Sequence, residues 1–142
     1  MNKAMIMVAV GLLLSGAVQA QKIEEGKVSA GAKNGFAKAF PGVKAKWEKE
    51  NGDFEAGFTK DGKKMSAVFT ADGIWKETET AMAASALPKT IQQYVKKNYP
   101  AEKVKEGAEI KKADGTVLYE AEIKGKDLVF DANGTFIKTS KD

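Results

Sequence analysis

Apolar residues along the chain recur with two different periods. Ala32, Phe36, Ala37 and Phe40 fall at helical spacing, with Ser29 placed to cap the first turn and Pro41-Gly42 to end the helix. From Val43 the period shortens to two: Val43, Ala45 and Trp47 alternate with Lys44, Lys46 and Glu48, the pattern of a half-buried strand. Asn51-Gly52, Asp61-Gly62 and Asp72-Gly73 are turn signals. Between them Phe54, Ala56 and Phe58, then Met65, Ala67 and Phe69, share an apolar face, and 74–78 is predicted as a fourth strand. A second helix is predicted from Pro88 to Tyr99-Pro100, with Leu87, Ile91, Tyr94 and Val95 on one side. Four more strands follow, over 104–110, 117–124, a stretch holding Leu128 and Phe130, and 135–139. Residues 21–27 are expected to fray, and 80–86 to form a connector holding one helical turn.

The two halves echo one another. Phe54-Glu55-Ala56 matches Tyr119-Glu120-Ala121, Val68-Phe69 matches Val129-Phe130, Asp72-Gly73 matches Asn133-Gly134, and Trp75 matches Phe136. Trp47 falls opposite a smaller apolar position near Ile110. The predicted fold class is α+β: a two-layer helix-on-antiparallel-sheet, a tandem duplication of a helix plus four-stranded meander. One domain is expected over 21–142, made of repeats at about 28–79 and 87–139, which share a sheet or a core because each alone buries too little. Gly31 and Gly35 each cost about 1 kcal/mol in a helix relative to alanine, so packing must hold the first helix.

Composition then narrows the chemistry. Residues 1–20 read as a signal peptide: Lys3, an apolar run over 4–14, and the small-residue exit Val18-Gln19-Ala20. The expected address is periplasmic or secreted, with no membrane span after signal removal. The chain has no cysteine and no histidine, which leaves no thiolate, no imidazole base and neither of the usual zinc ligands. Net charge is +4, every basic residue is lysine, and lysines interleave with acids, as in Lys44 to Glu50. Nothing forms the one-sign block that would mark a nucleic-acid partner.

The pattern Trp47, Phe54-Glu55-Ala56, Val68-Phe69, Asp72-Gly73-Ile74-Trp75-Lys76-Glu77 and Leu87-Pro88, with its second-half echo, resembles the PepSY-like family of exported bacterial proteins. The resemblance covers about 28–139. It implies the fold of beta-lactamase inhibitory protein, with no activity established for most members, and no inhibitory loop carries over residue by residue.

The acidic turns Asp72-Gly73 and Asp131 to Gly134 supply too few oxygens for calcium, and turn chemistry accounts for both; no metal or cofactor is expected. Glu55 and Glu120 point away from the aromatic face and are read as solvated charges with lysines across the strands. Trp47 shares the face of Val43 and Ala45, where packing is its default role; Trp75 lies beside Ile74. The two tryptophans are nonetheless the candidate contacts for a partner. The expected function is a non-enzymatic binding protein, an inhibitor or modulator of another envelope or secreted protein. The alternative is a small-molecule or lipid-binding periplasmic protein. A desolvated carboxylate in a cleft would reopen the catalytic case.

Overall fold

The computed structural model describes residues 21–141; the export signal expected over 1–20 lies outside them. Nine antiparallel strands form one continuous sheet in sequence order: β1 (Gln21–Ile23), β2 (Lys46–Glu50), β3 (Asp53–Lys60), β4 (Lys63–Phe69), β5 (Trp75–Met82), β6 (Glu106–Lys112), β7 (Val117–Ile123), β8 (Lys126–Asp131) and β9 (Phe136–Lys141). Helix α1 (Ala30–Ala39) precedes β2, and α2 (Lys89–Asn98) precedes β6. The α+β class and the helix-on-antiparallel-sheet layering hold.

The turns form where their residues require. Asn51 and Asp61 adopt positive φ ahead of Gly52 and Gly62, the conformation that short hairpins favour. Ser29 accepts the amide of Ala32 at 3.1 Å and donates to the Ala71 carbonyl at 2.7 Å, so it caps α1 and ties it to the β4–β5 turn. The glycines that weaken α1 are where that turn packs: a Cβ on Gly35 would stand 2.6 Å from the Gly73 carbonyl oxygen.

Two apolar clusters cover the helix side of the sheet. Phe36 of α1 packs against Trp47, Phe58 and Phe69, with ring centroids 5.6, 5.2 and 6.2 Å away. Ile91, Tyr94 and Val95 of α2 pack on Ala121, Leu128 and Phe130, with Tyr94 stacked on Phe136 at 5.0 Å. The halves therefore share a sheet but keep separate cores.

Three local expectations are corrected. Residues 21–27 are not frayed: β1 pairs with β2, Ile23 opposite Trp47, and Glu25–Lys27 forms a 3-10 turn. The connector begins later than expected, because β5 runs on to Met82 before a 3-10 turn at Ala84–Ala86. Finally, Trp47 faces Ala56 and Gly107 faces Ala121; under the sequence match of Ala56 with Ala121, Trp47 therefore corresponds to Gly107 and not to a position near Ile110. Leu87 fills the space there, its Cγ 2.7 Å from where a Gly107 Cβ would be.

Candidate functional site

Strand alternation puts one row of side chains under the helices and the other on the open face. The register carries that open row across the sheet: Lys46, Gly57, Ser66, Glu79, Ile110 and Leu118 lie abreast on β2 to β7. Glu55 stands one step along, abreast of Val68 and Glu77. Glu120 is abreast of Ala108 and Val129, and Asp127 is abreast of Glu122.

No second layer covers this face among the described residues, yet much of it is shielded from water. Ile110 is 0% exposed, Val129 1%, Glu55 and Glu120 3% each, and Asp127 1%. A flat sheet could not do this; the face must curl toward itself. Bulges at Val68/Phe69 and Val129/Phe130 sharpen that curl at matching places, since a bulge adds local twist. The result is a trough of about 1100 Å³ whose lining runs from Lys46 on β2 to Asp127 on β8.

Its two walls differ in charge. From β2 to β4 come Lys46, Thr59, Lys64 and Ser66; from β6 to β8 come Glu106, Glu120, Glu122 and Asp127, with Glu79 on β5 between them. Lys105 joins the lining at the acidic wall. Glu55 and Glu77 continue the acidic row beyond the trough.

Burial raises the affinity of these carboxyls for protons. The Glu55 carboxyl is pushed up to about 8 by burial first, then by Glu48, Glu50 and Glu77. Glu120 is pushed up to about 8 by burial and then Asp127 and Glu77, with Lys138 opposing. Glu79 is raised by burial and by Glu120, Glu55, Glu77 and Asp127. Glu77 is raised too, mainly by burial, against the pull of Lys112. Oε1 of Glu55 and Oε1 of Glu120 are buried with no hydrogen-bond partner. The expectation of solvated charges for Glu55 and Glu120 is thus overturned: they do point away from the aromatics, but into a closed-up face.

The candidate tryptophans are not in the trough. Trp47 is 5% exposed, within the α1 cluster against Phe36, which leaves it no free surface for a partner. Trp75 is 36% exposed, opposite Phe69 on the helix side, with Nε1 donating to Thr78 Oγ1 at 2.8 Å. The acidic turn at Asp131 is occupied by its own backbone: Oδ1 accepts the amides of Asn133 and Thr135, each at 2.9 Å. Among the described residues, no group of three or more acids is arranged to hold a metal ion.

A single antiparallel sheet of nine strands with two helices on one side, among the described residues, is a BLIP-like fold. The chain belongs to the family described as "Putative beta-lactamase-inhibitor-like, PepSY-like", whose model matches residues 44–138. Among solved structures it is similar to a BLIP-like protein from Bacteroides fragilis, at 21% identity and TM-score 0.62, over 80% of this chain and 85% of that one. It is similar also to a DUF2874 family protein from Bacteroides ovatus, at 17% identity and TM-score 0.70, over 79% and 86%. A "putative periplasmic" protein from Bacteroides eggerthii aligns at 12% identity and TM-score 0.73, over 80% and 88%. At these identities the likeness is one of fold. No curated protein matches the chain. Among the described residues, no helix is long and apolar enough to cross a membrane.

Proposed function

We propose that this is an exported, non-catalytic binding protein that docks another envelope protein against the open face of its sheet. One observation carries the reading. A trough of about 1100 Å³ holds a buried carboxyl oxygen of Glu120 without a hydrogen-bond partner, a state that costs about 1–3 kcal/mol or more until a partner arrives. The raised carboxyls are what a general acid would need. Against catalysis, the chain offers no histidine or cysteine to work beside them, and the acids gather with one another instead of around a nucleophile. A lipid tail is a poor occupant, because hydrocarbon over Glu79 and Glu120 would deepen their desolvation. Trp75, on the opposite side, lies outside this docking surface.

A periplasmic address is supported by the similar Bacteroides eggerthii protein, which is described as "putative periplasmic". Tandem duplication is supported by matched packing: Gly31 of α1 meets Gly73, and Thr90, its counterpart in α2, meets Gly134.

The test is site-specific photocrosslinking in the native envelope. A photoreactive residue replacing Ser66, in the trough, should capture a defined protein, while one at Lys33 on α1 should not. Capture from Lys33 alone, or from neither position, would remove the trough as the docking surface.

A further inference from the structure

The trough is bipolar, and that constrains what fits it. Glu120 is 3% exposed, its Oε1 has no partner, and it faces the cavity together with Glu79. Across the floor, Lys46 and Lys64 are exposed on the β2–β4 wall. An apolar occupant would leave the buried carboxyls without hydrogen-bond partners and strip water from the lysines, and a purely basic one would meet the lysines. Small-ligand pockets run to about 300–1,000 Å³ and enclose most of their ligand. This one, at about 1100 Å³, lies just above that range and spans seven strands, the dimensions of a polypeptide segment.

We infer that the trough receives a protruding segment of another protein that sets a lysine or arginine side chain over Glu79 and Glu120 and an acidic side chain toward Lys46 and Lys64. This rests on the docking role given to the same face above, and adds the chemistry of the partner. The ammonium or guanidinium supplies the hydrogen bonds that the Glu120 carboxyl lacks, and its charge offsets the crowding of Glu79 by Glu55, Glu77 and Asp127. The acidic neighbour fixes direction, because reversing the segment would set its cation on Lys46 and Lys64 and take from Glu79 and Glu120 the positive charge that favours their ionised form.

The probe is a display library of random nine-residue cyclic loops panned against the mature protein. Selected loops should be enriched at least fivefold in a lysine or arginine within three residues of an aspartate or glutamate. Glu79→Gln and Glu120→Gln should each weaken the selected loops at least tenfold. Both amides are close in shape to the acids, and circular dichroism establishes that the variants fold. Exchanging the exposed lysines, Lys46→Glu with Lys64→Glu, avoids the buried positions altogether and should abolish the acidic preference while keeping the basic one. Enrichment of apolar or wholly acidic loops, no enrichment, or selected loops indifferent to both glutamine variants would each overturn the inference. A trough crosslink in the envelope together with such a result would leave docking in place and remove only the cationic partner.

Discussion

Gly73 packs so closely on the backbone of Gly31 that a Cβ on Gly73 would overlap the Gly31 carbonyl oxygen. Gly73 also holds φ at +91°, where a side chain is strained. Gly73→Ala and Gly31→Ala should each destabilise the fold by about 1–3 kcal/mol, the usual cost of overpacking. Gly26→Ala, with nothing within 4 Å of the added carbon, should be near neutral. Urea midpoints of the three variants check this.

The buried acids make stability fall as pH rises. Glu55 and Glu120 shift from 4.5 to about 8 in the folded chain. Between those values the unfolded chain has released protons that the folded chain still holds, so alkaline conditions favour unfolding. The slope is up to about 1.4 kcal/mol per pH unit for each group. The protein should therefore melt higher near pH 5 than near pH 8. The double variant Glu55→Gln with Glu120→Gln should flatten the profile and raise the melting temperature at pH 8. A wild-type melting temperature constant over that window would contradict the burial of these groups.

The two tryptophans should separate by energy. Trp47→Ala opens the α1 cluster and is expected to cost about 3–5 kcal/mol. Trp75→Ala removes a partly exposed ring and its bond to Thr78, and should cost about 1 kcal/mol. Denaturant melts distinguish them, and a loss above 3 kcal/mol at Trp75 would put that ring in the core.

Ser29→Ala removes both the α1 cap and the tie to Ala71. A loss of about 1–2 kcal/mol is expected, with hydrogen exchange quickening first in α1 and the β4–β5 turn.

Much of this fold is legible in the sequence because its signals are local. Period-two alternation and the Asn-Gly and Asp-Gly turns mark hairpins whose partners are adjacent in the chain. β1 escaped that reading because a single apolar residue, Ile23, carries it, and its partner β2 lies beyond α1. The site was half legible. Alternation places Glu55 and Glu120 opposite the aromatics correctly. It says which face a residue takes and nothing about how far that face curves, so burial of the outer row cannot be read from spacing. The repeated Val68-Phe69 and Val129-Phe130 pairs were visible in the sequence, but as core letters; their role as bulges that bend the strands needed the register. Neither tryptophan marked the trough, since the chemistry lies in residues that looked like ordinary surface charge.

Because every strand bonds only to its neighbours in sequence, the sheet needs few long chain closures while folding. β2 to β5 and β6 to β9 are stacks of short hairpins, and closure entropy grows with the length closed. Longer connections occur before β2 and before β6, where a helix is inserted. Each half can therefore zip from its own turns, whereas pairing β1 with β2, and β5 with β6 where Glu79 comes to lie beside Ile110, must each close a connection that holds a helix. The trough is lined from both sides of the β5–β6 seam, so it is complete only once the two halves have met.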